Sequence, residues 1–165
     1  LGAISLPKVR DSYIQTVKDA GLYVDAETAD LAARKSMGHP YMVQLVGYYM
    51  WRSAVRRDSR VIEERDVEAG HADAVSEFYE AVDAPLYYGL HSPQRLFIEA
   101  MAADGGKPTR MADIIERCDR TQSWASKYRA SLIRERVIEA AGYGLVRFTV
   151  PMLGAYIRDR VIWHE

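Results

Sequence analysis

The sequence predicts a mainly α-helical chain: a four-helix bundle over residues 1–84, then a second module over residues 85–165 that ends in a two-stranded hairpin. Three observations carry this. Apolar residues recur at helical spacing from Val9 to Val82, in segments punctuated by Gly21, Gly38 and Pro40. Alternation of period two is confined to Val137–Ala141 and Leu145–Val150, which flank Gly142-Tyr143-Gly144. The charge also changes sign along the chain: residues 1–90 hold 10 Lys+Arg against 14 Asp+Glu, a net of −4, and residues 91–165 hold 12 against 9, a net of +3. An acidic half joined to an arginine-rich half points to the second as the part that meets a polyanion.

In the first module, Pro7 opens a helix carrying Val9, Tyr13, Ile14 and Val17, which Gly21 ends. Asp25 caps a second helix, where Ala29, Leu31, Ala32 and Ala33 supply small apolar surface up to Gly38. Pro40 then pre-sets the first turn of a third helix, apolar almost all round and therefore expected to be buried, which runs past Tyr48, Tyr49 and Trp51 to about Arg57. Arg52, Arg56 and Arg57 suit the negative end of that helix. After a loop, Ile62 leads into an acidic first turn and a fourth helix with the stripe Val67, His71, Ala74, Val75, Phe78 and Val82. Four helices and no strands are expected here.

Pro85 to His91 is expected to be a linker. Ser92 and Pro93 open the next helix, with Leu96, Phe97, Ala100 and Met101 inward, and Gly105-Gly106-Lys107-Pro108-Thr109 is expected to be a turn. Thr109 should cap a short helix holding Met111, Ile114, Ile115 and Cys118. A tight turn at Asp119-Arg120 places Thr121 as the cap of a helix from Gln122 to about Glu135, with Ala125, Tyr128 and Leu132 inward and Trp124 ambiguous between core and partner surface. Gln122, Ser123, Ser126, Lys127, Ala130 and Arg134 are left outward: small, polar and basic groups that a duplex groove accepts, or an ordinary solvated face. After the hairpin, Pro151 starts a last helix, to about residue 163, with Met152, Leu153, Tyr156, Ile157 and Val161 on one side.

Several classes of function are not expected. No apolar run approaches the roughly 18 residues that span a bilayer, so no membrane role is expected. The lone Cys118 forms no internal disulfide and fits a reducing cytoplasm, and the four histidines lack partners at metal-ligand spacing. No catalytic constellation is marked, and there is no phosphate-binding glycine loop: the single Gly-Lys, Gly106-Lys107, has Met101 and Pro108 where a glycine and a hydroxyl are required. With no initiator Met, the chain is expected to be a part of a longer protein.

Leu6-Pro7, a helix, a second helix ending in Ser-Met-Gly, and then His39-Pro40-Tyr41-Met42-Val43-Gln44 together resemble the helical lid that follows the P-loop core in AAA+ and related signal-transduction (STAND-type) ATPases. The resemblance implies that Gly38, His39 and Pro40 pack against the adenine of ATP or ADP, with Tyr41 and Gln44 nearby; Mg would accompany the nucleotide in the parent protein, an ATP hydrolase. Read from residues alone, Gly38-His39-Pro40 is equally an interhelical corner. The sensor arginine that many such lids carry one turn into this helix is missing, since Tyr41 to Trp51 contains none. The order helix, helix, tight turn, helix, hairpin resembles a winged helix-turn-helix with a two-stranded wing. Lid plus winged helix is similar to the C-terminal part of prokaryotic AAA+-type ATPases, including the archaeal origin-recognition relatives. This implies Gln122, Ser123, Ser126 and Lys127 as base or phosphate contacts to double-stranded DNA, and Arg134, Tyr143 and Arg147 as phosphate contacts. The implied partners are an upstream P-loop core of the same chain and DNA. The alternative is a winged helix that docks on protein or inhibits its own ATPase.

Overall fold

The computed structural model describes residues 2–162, which form two compact units that divide between Phe78 and Tyr79. The first is a helical bundle of α1 (Leu6–Asp19), α2 (Ala26–Ser36), α3 (Pro40–Arg56) and α4 (Glu64–Phe78). Val9, Tyr13 and Val17, each four residues apart, are the buried face of α1. Asp25 caps α2 by accepting the Thr28 N–H at 2.7 Å. The α3–α4 pair is packed most tightly, because Gly70 on α4 lies directly on the α3 backbone: a Cβ there would sit 2.5 Å from Met50 N.

Two expectations for this unit are corrected. Strands do occur: β1 (Tyr23–Val24) and β2 (Val61–Ile62) pair in parallel, Tyr23 opposite Val61. They join the α1–α2 loop to the α3–α4 loop and bury Val24 and Ile62. Nor is α3 buried all round. Met42, Leu45, Val46, Met50 and Ala54 are covered, but Tyr48 is 51% and Trp51 37% exposed, because α1, α2 and α4 enclose the helix on part of its circumference only. Where α3 ends, the fully buried Asp66 is completely paired. It accepts from Arg57 Nε (3.0 Å) and Nη2 (2.6 Å), Ser53 Oγ (2.8 Å) and the Glu63 N–H (2.9 Å). Burial pushes this carboxyl up, but the Arg57, Glu63 and Ser53 hydrogen bonds outweigh it and hold the group below the ordinary aspartate range.

In the second unit, the expected linker is helical. A π turn, Tyr79–Asp83, runs straight into α5 (Ala84–Gly89). Pro85 lies in the first turn of α5, the part of a helix where proline is best tolerated. Asp83 is fully buried and neither carboxylate oxygen has a hydrogen-bond partner among the described residues, so burial pushes its pKa up to about 7. The remaining elements are α6 (Ser92–Ala102), β3 (Thr109–Arg110), α7 (Met111–Cys118), α8 (Gln122–Arg134), β4 (Ile138–Ala140), β5 (Leu145–Phe148) and α9 (Leu153–Tyr156). A second π turn, Ile157–Val161, follows α9. The expected last helix thus begins two residues after Pro151, and its end at 163 lies outside the described residues.

The strands form a three-stranded antiparallel sheet in the order β3-β5-β4. The wing therefore gains a third strand: Thr109 pairs with Val146 instead of capping α7, and the residue before α7 is Arg110. The buried Gln94 ties α6 to α8 by donating to Ser131 Oγ (3.0 Å) and Glu135 Oε1 (2.8 Å). Phe97, Ile98, Met101, Ile114, Leu132, Ile138, Leu153 and Ile157 are the fully buried core. The architecture is that of a helical bundle followed by a winged helix.

Candidate functional site

The corner between α2 and α3 is built by two successive left-handed residues, Met37 (φ 54°) and Gly38 (φ 66°), which end α2 and reverse the chain. Ser36 Oγ accepts the Gly38 N–H at 3.3 Å, and the Ser36 carbonyl accepts the His39 N–H at 3.1 Å. Gly38 is needed on two counts: its φ is positive, and a Cβ would stand 2.2 Å from the carbonyl oxygen of Ile4, whose own N–H donates to Gly38 O at 2.8 Å. The close approach at this glycine is thus made by the chain's own N-terminal stretch.

Of the other corner residues, His39 packs edge-on against Phe78, ring centroids 5.2 Å apart, and its buried Nδ1 has no hydrogen-bond partner among the described residues. Burial lowers its basicity, so the ring is neutral at pH 7. Tyr41 leans toward α4, 5.9 Å from the Phe78 ring, with its hydroxyl 3.4 Å from Glu77 Oε1. Gln44 instead lines a cavity of about 450 Å³ between α1 and α3, together with Tyr13, Gly47, Tyr48 and Trp51. Pro40 and Tyr41 are half-buried. No phosphate-holding cation joins them, for Arg34 is paired with Asp30 and Lys35 with Glu68 at 3.0 Å.

The second candidate surface is α8 and its hairpin. Thr121 Oγ1 accepts the Trp124 N–H at 3.1 Å and starts the helix. Gln122, Ser123, Ser126, Lys127, Ala130 and Arg134 are all exposed, as their spacing predicts, while Ala125 and Leu132 are buried. Gln122 Nε2 reaches Ser126 Oγ at 3.5 Å, and Lys127 Nζ lies 5.3 Å from the Tyr128 ring centre. Trp124 is half-buried against Phe97 and Tyr128, at 6.2 and 5.0 Å between centroids. Sequence reasoning passed over Arg120 and Arg136, which bracket α8 and are both exposed; their signal was position, one before the cap and one just after the last turn. Among the described residues Lys127, Arg134, Arg120 and Arg136 form no ion pair. Arg147 differs: on β5 opposite Glu139, its Nε lies 2.6 Å from Glu139 Oε1. Tyr143 stands at the hairpin tip, 105% exposed.

Known proteins add the following. A family model described as a domain of unknown function (DUF8462) matches residues 84–157. No curated protein matches the chain. Among solved structures, the chain is similar to Thermotoga maritima RuvB, the Holliday junction branch migration motor, at 11% identity and a TM-score of 0.45, covering 92% of this chain and 49% of that one. A point-substituted form of RuvB gives 10% identity, a TM-score of 0.45, and coverage of 92% and 48%. The chain spans about half the length of the solved structures it matches. Among the described residues no helix is long and apolar enough to cross a membrane.

Proposed function

We propose that this chain is the helical lid and winged helix of an AAA+-type P-loop ATPase, and that its winged helix binds double-stranded DNA through α8. The observation that carries the reading is the composition of one helix face. Ser123, Ser126 and Ala130 keep the face low enough for a groove, Gln122 can read a base edge, and Lys127 and Arg134 are uncommitted cations for phosphates. Arg120 and Arg136 extend the positive strip at both ends of the helix.

The lid assignment rests on the Gly38-His39-Pro40 corner. Its residues fit the base of ATP or ADP, through Pro40 and Tyr41, and do not fit the phosphates or Mg. Those would fall to an upstream core, the partner this reading requires. Nucleotide control would follow if the base contacts Pro40 differently in two positions of the lid, since a ligand shifts an equilibrium only by its differential affinity.

The test is fluorescence anisotropy of a labelled duplex titrated with the chain at two salt concentrations. Binding should weaken with salt, and a Lys127→Glu/Arg134→Glu variant should lower the slope of log K against log salt by about 2, one for each lost phosphate contact. An intact chain that ignores duplex DNA even at low salt would refute the reading and favour a protein-docking or autoinhibitory winged helix.

A further inference from the structure

The wing of this winged helix is not built to follow a phosphate backbone. Its cation, Arg147, is held 2.6 Å from Glu139 on the neighbouring strand, and Arg110 on β3 sits 3.9 Å from Asp113. On and around α8, by contrast, Lys127, Arg134, Arg120 and Arg136 form no ion pair among the described residues. The apex of the wing carries an aromatic ring: Tyr143 is fully exposed, between Gly142 (φ 123°) and Gly144 (φ 66°), and a Cβ at Gly144 would meet nothing within 4 Å. Both glycines adopt positive φ to make the turn, so Tyr143 is pushed outward with open space beside it. An exposed ring is a stacking surface for a base, whatever the base's identity. In a duplex each base is held by its neighbours and by its pairing partner; a base that has lost its partner leaves the stack at the least cost and can lie on a protruding ring.

We propose that Tyr143 stacks on an unpaired base, so that the preferred DNA is a duplex that opens into single strands beside the wing. This rests on the reading of α8 as the duplex-binding helix. The two elements divide the work: α8 holds the paired segment by charge and groove fit, and the wing tip recognises the point where pairing stops. Tyr143 is then the residue that sets DNA shape preference, and Arg147 serves to neutralise Glu139.

Two labelled DNAs of equal paired length, one blunt and one ending in two non-complementary arms, would be titrated by anisotropy with the 165-residue chain. The arms would carry 2-aminopurine at the first unpaired position as a second, direct readout of stacking. The wild-type chain should favour the forked DNA by roughly 5- to 150-fold, the range for one base stacked on an aromatic ring, and quench the 2-aminopurine. Tyr143→Ala should lose both the preference and the quenching while keeping blunt-duplex affinity, and Tyr143→Phe should retain both. Lys127→Glu/Arg134→Glu should weaken both DNAs together. Equal affinity of the wild type for the two DNAs, a fork preference that survives Tyr143→Ala, or equal loss on both DNAs in Tyr143→Ala would each overturn the stacking role and leave the α8 reading standing. Failure of the wild type to bind either DNA would overturn both.

Discussion

Replacing Asp83 by asparagine should stabilise the second unit at neutral pH and remove most of its pH dependence between pH 5 and 8. The native side chain is fully buried with both oxygens unbonded. Tyr79 and Tyr156 lie near enough to feel its charge, but neither bonds to it, and Tyr79 donates instead to Asp159 at 3.0 Å. Burial therefore raises its folded-state pKa to about 7, against an ordinary value of 3.8. A carboxyl raised on folding binds its proton more tightly in the native state, so stability is highest below the unfolded value and falls as pH rises toward the folded one. Linkage gives a loss of about 2.5 kcal/mol between pH 5 and pH 8 from this one group. The Asp83→Asn variant has no such ionisation, so its urea midpoint should exceed wild type at pH 8 and converge with it toward pH 5. Tryptophan fluorescence in a Trp51→Phe/Trp163→Phe background would follow the transition through Trp124 of the second unit. Parallel pH profiles for the two proteins would show that Asp83 finds a proton-independent partner and that the burial argument is wrong.

Other consequences are open to direct measurement. Arg57→Ala should destabilise the first unit, because it strands the fully buried Asp66 carboxylate; urea unfolding would read the loss, and an unchanged urea midpoint would mean that Ser53 and the Glu63 N–H suffice. Gly38→Ala should cost about 1–3 kcal/mol through its positive φ and displace the Ile4 segment, visible as faster hydrogen exchange at the Ile4 amide. Glu139→Gln should free Arg147 and steepen the salt dependence of duplex binding by up to about 1, whereas an unchanged slope would place Arg147 away from the DNA.

Much of this fold is legible in the sequence because its determinants are local. The caps Asp25 and Thr121, the Pro40 start and the outward set on α8 follow from side chains a few residues apart. The pairing of Arg147 with Glu139 was legible too, since both lie four residues from Tyr143 across the hairpin. What escaped is tertiary in origin. β1, β2 and β3 have two residues each, too few for any periodicity, and exist only because a distant strand pairs with them. The segment from Pro85, expected to be a linker, is helical because a π turn leads into α5, which no local pattern announces. Apolar composition on α3 could not tell covered positions from Tyr48 and Trp51. At the corner, the requirement for glycine was visible, but the group pressing on it, the Ile4 carbonyl, was not.

The pairing of β1 with β2 carries a kinetic consequence. It closes a loop that takes in all of α2 and α3, so it must form after the α1–α2 and α3–α4 hairpins have brought their ends to the same place, and two residues of strand cannot repay that closure by themselves. The pair should be absent from the folding transition state. Trimming the buried Val24 to alanine would then leave the folding rate nearly untouched and express its whole effect as faster unfolding. The strand pair is a latch that does not guide the bundle together but sets how long it stays closed.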